Sequence, residues 1–320
     1  MKVVIPMAGR GTRLRPHTNT IPKPLLKLCG KSIIEWIVEE LKDSSDQIID
    51  EIHYIIGDFG SEVEGMLIET AERIGAKGFI HYQRIALGTA HALYCAKSAL
   101  DGNVFVAFAD TIFKGKTRID NSADGMIWTM PVEDPERYGV VNINSEGLIT
   151  DFIEKPQNFV SNLAIVGLYY FKDASKIKFE IEDLVDNNRK ENNEFQITNC
   201  LESFKNKNFK LKNAVLDEWL DCGNKKELLK TNSRLIELEY QGKNFIHSGS
   251  DISPSSEISR TSIESNVQIT NSKLVNTIIY DGAVVSNCTL TDSIVGKNCV
   301  VKNFKGSLFL GDYSEVNYEK

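Results

Sequence analysis

Residues 8–26, AGRGTRLRPHTNTIPKPLL, bring two glycines, three threonines, three arginines and a lysine into one short string. These residue types, placed directly after the apolar run Val3-Val4-Ile5, can bind a polyphosphate. Ala8, Gly9 and Gly11 would present backbone N–H groups that phosphate oxygens can approach closely. The Thr12 hydroxyl can donate a further hydrogen bond. Arg13 offers a planar fork for phosphate oxygens, and Lys23 a movable point charge. Arg10 and Arg15 add flanking charge. The spacing is neither the dinucleotide pattern G-x-G-x-x-G nor the phosphate loop G-x-x-x-x-G-K-[ST], so the string must be read whole. A Gly/Pro-rich loop of this kind can also be purely structural. Asp110 closes the apolar run VAFAD. A carboxylate at the carboxyl end of a parallel strand sits where open α/β sheets bind ligands, although it can equally cap the following turn.

Alternating elements must position these groups. KVVIP (2–6), EIHYIIG (51–57), GFIHYQ (78–83) and NVFVAFAD (103–110) read as strands. Helical spacing of Ile33, Ile34, Ile37, Val38 and Leu41 predicts a helix over 31–42, with others near 60–74 and 88–99. Strand–helix alternation implies a Rossmann-like, mostly parallel sheet of the α/β class. GMIWTMPV, YGVVNIN, LITDFIE and AIVGLYYF then read as strands of an antiparallel addition over the sheet's ligand-facing end. Helices are expected near 180–191, 196–205 and 224–240.

At about 244 the texture changes to Ser, Thr, Asn and Gly. Apolar residues now recur every five or six positions, from Ile258 through Ile263, Ile269, Leu274, Ile279, Val285, Leu290 and Val295 to Val301. That spacing is neither 3.6 nor 2. It is a solenoid period, one inward residue per flat face, giving about four coils. An irregular β-rich tail is the plainer alternative. The expected domains are therefore 1–243 and 244–320.

Bulk properties narrow the classes. A chain of 320 residues, 42% hydrophobic and 25% charged, has a globular composition. A net charge of −7 argues against nucleic-acid binding, which needs a basic field. The six cysteines form no C-x-x-C pair and read as reduced thiols of a cytoplasmic protein. No apolar run is long enough for a membrane span, and the segment before Val3 is too short for a signal peptide.

The 8–26 string closely resembles the signature of the nucleotide-sugar pyrophosphorylases, the glucose-1-phosphate thymidylyl- and uridylyltransferases and their relatives. Further blocks follow in that family's order over roughly residues 1–240. QRIALGTAHA (83–92) resembles its base-reading loop, which gives Gln83 the pyrimidine edge and lets the base lie on Gly88. DPERYGVV (134–141), EKP (154–156) and SNLAIVGLYYF (161–171) resemble its sugar pocket. By that resemblance Gly139 backs the hexose, Glu154 accepts from sugar hydroxyls, Lys155 neutralises the sugar's phosphate, and Asn162 contacts the sugar. EWLDCGN (218–224) resembles its W-x-D-x-G block. The resemblance thus makes Asp110 and Asp221 ligands of Mg²⁺, which takes one or two carboxylates with phosphates and waters. One departure stands at Asn192 and Asn193, where short-form relatives often carry Arg just before the block matching EFQIT.

The implied substrates are a pyrimidine nucleoside triphosphate (dTTP or UTP) and a hexose 1-phosphate, most naturally glucose 1-phosphate. The tail resembles the left-handed β-helix of long-form members, and a homo-oligomer is its expected use. Two alternatives stay open. A bifunctional nucleotidylyl/acetyltransferase has a similar helix, but acyl transfer usually uses a His base, and residues 248–320 contain no His. A catalytically silent regulatory subunit would keep the fold and lose the carboxylates or the signature Arg.

Overall fold

The computed structural model describes residues 1–318. In chain order its elements are β1 (Lys2–Pro6), β2 (Lys27–Leu28), β3 (Lys31–Ser32), α1 (Ile33–Ser44), β4 (Glu51–Ile56), α2 (Ser61–Arg73), β5 (Lys77–Tyr82) and α3 (Thr89–Cys95). There follow β6 (Val104–Ala107), β7 (Thr111–Lys114), β8 (Gly125–Pro131), β9 (Gly139–Ile143), β10 (Ile149–Glu154) and β11 (Leu163–Phe171). Then come α4 (Ala174–Asp186), α5 (Ile197–Asn206), β12 (Leu211–Val215), β13 (Glu218–Asp221) and α6 (Lys225–Tyr240). Short strands from Phe245 onward complete the chain. Two compact units form: Met1–Gly9 with Ile37–Trp219, and Arg10–Trp36 with the chain from Leu220 onward.

The first unit is built on one mixed sheet in the order β10-β9-β11-β6-β1-β4-β5, with β8 and β12 added beside β11. β1 pairs in parallel with both β4 and β6, and β4 with β5. Val3, Val4 and Ile5 are fully buried, as a central parallel strand covered on both faces requires. β11 reverses the direction: Phe171 pairs with Val104 and Leu168 with Ala107. The first half of β11 therefore runs past the carboxyl end of β6. There Ala164 pairs with Val140 of β9, and β9 pairs with β10. The antiparallel addition is thus a continuation of the same sheet beyond β6.

Helix limits follow local chemistry more closely than periodicity. α4 begins six residues before the expected segment at 180. The Asp173 side chain caps it by accepting from Ser175 N at 3.2 Å, and Ile177, Ile181 and Leu184 form its buried stripe. α3 is shorter than expected, stops at Cys95 and gives way to a 3₁₀ turn over Lys97–Ala99.

In the second unit, α6 is capped by Asn224, whose Oδ1 accepts from Lys226 N and Glu227 N. It buries Leu228, Leu229, Leu235 and Ile236. The solenoid is a stack of parallel ladders. Ile263 lies beside Ile279, which lies beside Val295; Ile269 stacks likewise on Val285 and Val301, and Leu274 on Leu290. These residues are 0% exposed and form one core. One coil takes sixteen residues, the separation of Asn271 and Asn287, whose side chains hydrogen-bond at 2.9 Å. Three faces per coil account for the five-to-six-residue apolar spacing. Between faces, single residues turn the chain with positive φ: Asn276 and Asp292 at one corner, Asn266, Gly282 and Asn298 at the next, Asn271, Asn287 and Asn303 at the third. Asn and Gly tolerate that conformation best, which explains the composition of the tail.

Candidate active site

Each unit gathers part of the predicted set. In the first unit, Ala8 and Gly9 follow β1 after Met7, and Asp110 stands exposed just past the end of β6. Gly139 and Glu154 are direct cross-strand partners. A Cβ on Gly139 would lie 3.0 Å from Glu154 Oε2 and 3.5 Å from Ile165 Cδ1. Thr198 Oγ1 donates to the same carboxylate oxygen at 3.4 Å. The phenol of buried Tyr169 is held far above its ordinary pKa by burial first, then by the nearby charges of Glu154 and Asp110. It therefore stays protonated beside both carboxylates. Lys155 is exposed, with left-handed backbone at φ 43, and its Nζ is 3.7 Å from Glu154 Oε1. Asn162 precedes β11, and its carbonyl accepts from Val132 N at 2.9 Å. Since Ala164 pairs with Val140, Ile165 rather than Asn162 faces Gly139.

Gln83 is buried, and its amide nitrogen donates to Gly88 O at 3.0 Å and lies 3.1 Å from His91 Nδ1. Burial, and then the Lys190 charge, lower the His91 pKa, so the ring is neutral and can accept. With both amide donors engaged, the carbonyl oxygen of Gln83 is the group that can meet a base. Gly88 has φ 112, and a Cβ there would fall 2.5 Å from Phe195 O. No side chain fits that place. Phe195 N donates to Leu87 O and Ala90 N to Phe195 O, while Ile197 N donates to Thr89 Oγ1. The EFQIT block thus holds the loop around Gly88. Phe195, Thr198 and His91 carry no role of their own in the sequence reading, where the EFQIT match pointed to the first two and the 83–92 block to His91. Asn192 and Asn193 both have positive φ in a tight turn closed by paired Glu191–Glu194 backbone bonds. That geometry favours Asn and disfavours Arg.

In the second unit, Gly11 has φ 58 and opens a 3₁₀ turn over Thr12–Leu14. A Cβ on Gly11 would come within 2.9 Å of Lys23 Cβ, so only glycine lets these two segments meet. Thr18 Oγ1 donates to Gly11 O at 2.8 Å and closes the turn. Lys23 is 8% exposed on its own 3₁₀ turn, Lys23–Leu25. Thr12 and Arg13 are exposed. Asp221 Oδ1 accepts from Gly223 N at 2.6 Å, and Thr231 Oγ1 donates to Asp221 O at 2.7 Å. A Cβ on Gly223 would sit 2.8 Å from Asp221 Oδ1 and 3.5 Å from an Arg13 guanidinium nitrogen. Arg13, Asp221, Lys23 and the Gly11 turn are therefore one local assembly. The predicted metal carboxylates, Asp110 and Asp221, belong to different units. Among the described residues no three His, Cys, Asp or Glu side chains cluster as a protein-only metal cage. Each carboxylate by itself supplies hard oxygens of the kind Mg²⁺ takes alongside phosphates and waters.

A nucleotidyl transferase profile matches residues 2–237. The low-salt glycan biosynthesis nucleotidyltransferase Agl11 of Haloferax volcanii is 32% identical over 245 residues, 74% of this chain and 66% of that protein. The mannose-1-phosphate guanylyltransferase catalytic subunit beta of Xenopus tropicalis is 37% identical over 185 residues, 54% of this chain and 50% of that one. The alignments thus span half to just under two thirds of these relatives. A solved Bacillus anthracis structure, assigned provisionally as a glucose-1-phosphate thymidylyltransferase, superposes with a TM-score of 0.63 at 26% identity, covering 73% of this chain and 94% of that one. The profile covers most of the sequence, and the chain belongs to the nucleotidyl transferase family.

Proposed function

We propose that the protein is a sugar-1-phosphate nucleotidylyltransferase that joins dTTP or UTP to a hexose 1-phosphate, glucose 1-phosphate first, and releases pyrophosphate. The observation that carries this reading is the assembly of Gly11, Arg13, Lys23 and Asp221 in one unit, a cationic turn next to a carboxylate. The sugar phosphate itself attacks the α-phosphorus, and no covalent nucleophile on the protein is required. The protein's part is positioning and charge neutralisation. Arg13 and Lys23 hold the departing pyrophosphate, with the N–H groups of Ala8 to Thr12 on the phosphates. Lys155 orients the attacking phosphate. Glu154, held by Thr198, accepts from a sugar hydroxyl over Gly139. Gln83 accepts through its carbonyl oxygen from a base N–H, over Gly88. Asp110 and Asp221 are the residues that would hold Mg²⁺, which when bound offsets the charge of the phosphates. Asn162 enters as a sugar contact on resemblance alone. A cytoplasmic homo-oligomer is part of the same proposal, carried by the cysteine pattern and by the tail's resemblance to the β-helix of long-form members. None of its six cysteines is in a disulfide, and no helix among the described residues is long and apolar enough to cross a membrane.

A guanylyl reading has its own support. Guanine N1–H can meet the Gln83 oxygen as thymine N3–H can, and the Xenopus relative is named for GTP chemistry. A pyrophosphate-release matrix of nucleoside triphosphates against sugar 1-phosphates tests both. Highest kcat/KM for dTTP or UTP with glucose 1-phosphate supports the first reading. GTP with mannose 1-phosphate in front replaces it with the second. No release from any pair leaves the silent regulatory subunit.

A further inference from the structure

The segment that carries Arg13 and Lys23 is gripped by the solenoid through residues that no step above uses. Thr20 Oγ1 donates to Asp312 Oδ2 at 2.6 Å. Lys27 Nζ donates to Asp281 Oδ1 at 3.3 Å. The Gly30 N–H donates to Glu264 Oε1 at 2.9 Å. Asp281 and Asp312 belong to one corner of the stack. Ser265 Oγ donates to Asp281 Oδ1, and Lys297 N to Asp312 Oδ1, so each carboxylate is itself held by a neighbouring coil. The adjacent column runs Glu264, Tyr280, Gly296, Gly311, joined through backbone bonds along successive coils. Its last two members are glycines, and Pro16 packs on the second of them. A Cβ on Gly311 would lie 2.9 Å from Pro16 Cβ, and the buried His17 ring lies against Tyr280.

The placement of the ties matters. Thr20 precedes the Lys23–Leu25 turn and Lys27 follows it, so both ends of that turn are held. Lys23 in turn packs on the Gly11 turn with no room for a side chain between them. We propose that the solenoid is a positioning element for nucleotidyl transfer, with Asp312 and Asp281 acting through Thr20 and Lys27 to set Lys23 and the Gly11 turn for the triphosphate. The inference rests on reading that loop as the triphosphate cradle.

The experiment uses the intact chain and four variants: Thr20→Val, Thr20→Ser, Gly311→Ala and Asn287→Gly. The last removes side-chain bonds to Asn271 and Asn303 at a different corner and serves as the control. Measured are kcat and KM for the triphosphate, melting temperature, and amide hydrogen exchange across residues 11–26. Thr20→Val and Gly311→Ala are expected to lower kcat/KM for the triphosphate by about tenfold, the scale of a small misplacement of a positioning group, and to speed exchange in 11–26. Thr20→Ser restores both. Asn287→Gly lowers the melting temperature while kcat/KM stays at the wild-type value. Wild-type kinetics in both Thr20→Val and Gly311→Ala overturn the proposal. So do losses that merely track melting temperature across all variants, the control included. A wild-type protein inactive on every substrate pair counts against the nucleotidylyl reading alone. The exchange rates and the calorimetric affinity for magnesium–dTTP then decide the positioning role, and unchanged values in both overturn it.

Discussion

Asp110 and Asp221 are asked to do the same job from different surroundings. Asp110 is exposed past a strand end, close enough to Tyr169 to help keep that phenol protonated. Asp221 is half-buried, with one oxygen fixed by Gly223 N and its backbone carbonyl by Thr231. The Asn isostere keeps shape and removes charge in both. A hard cation held by carboxylate and phosphate oxygens loses most from that change. Asp110→Asn and Asp221→Asn are therefore each expected to cut turnover by at least about a hundredfold, about 3 kcal/mol of barrier. Circular dichroism should show the fold intact. Near-normal turnover at saturating magnesium in either variant removes that carboxylate from the metal site. The same comparison separates an enzyme from a silent subunit, because only an enzyme has turnover to lose.

The elements show what a sequence can reveal and where it stops. β1, β4 and β6 were legible because buried parallel strands are short runs of Val, Ile and Phe that helices interrupt, and β5, on the sheet's edge, from its place in the strand–helix alternation. The solenoid was legible from its spacing, since each face admits one apolar residue and each coil repeats the constraint. α4 was misplaced because its start depends on the Asp173 cap rather than on apolar period. Of the candidate site, Gly139 and Glu154 were each proposed by resemblance, and their direct pairing comes from the β9–β10 register. Thr198 and Phe195 were not found. Their roles depend on contacts with Glu154 and with Gly88, respectively 44 and 107 positions away along the chain. The Thr20–Asp312 tie spans 292 positions. A threonine and an aspartate so far apart carry no local signal of meeting.

For the whole molecule, two buried groups give stability opposite responses to acid. Burial first, then the charge of Lys225, lowers His17 from 6.5 to about 4. Its contribution is fully present above pH 6.5 and is lost as pH falls through 4. Burial raises Glu264 from 4.5 to about 6, against the opposing pull of its Gly30 hydrogen bond and Lys27. Its contribution is fully present below pH 4.5 and is lost as pH rises through 6, a difference of about 2 kcal/mol at most. Glu264→Gln keeps an acceptor for Gly30 and removes the titration. Urea midpoints should therefore show the variant more stable than the wild-type protein at pH 7.5, with the gap closing by pH 4.5. A gap that does not change with pH rules out a raised Glu264.

Both groups lie where the solenoid meets segment 10–36, and this bears on what the tail is for. From the sequence, a chain cut near residue 245 is expected to keep a chemically complete nucleotidylyl site and to lose oligomeric state and thermal stability or, if the intact protein is a monomer, to expose apolar surface and aggregate. The structure changes that expectation. Segment 10–36 folds into one unit with the solenoid, so the cut removes the partners of Thr20, Lys27 and Gly30 together. It also uncovers Pro16, the buried His17 ring and Gly30, which packs on Phe245. Arg13 and Lys23 would remain in the chain without the surface that sets their segment, and the newly exposed apolar surface favours aggregation. The truncated protein is expected to scatter light as aggregate and to retain less than about a hundredth of the intact turnover, the loss typical of a misplaced binding constellation. Light scattering and pyrophosphate release on the same preparations check this. A soluble truncated chain with wild-type turnover and a smaller oligomer would return the tail to assembly alone.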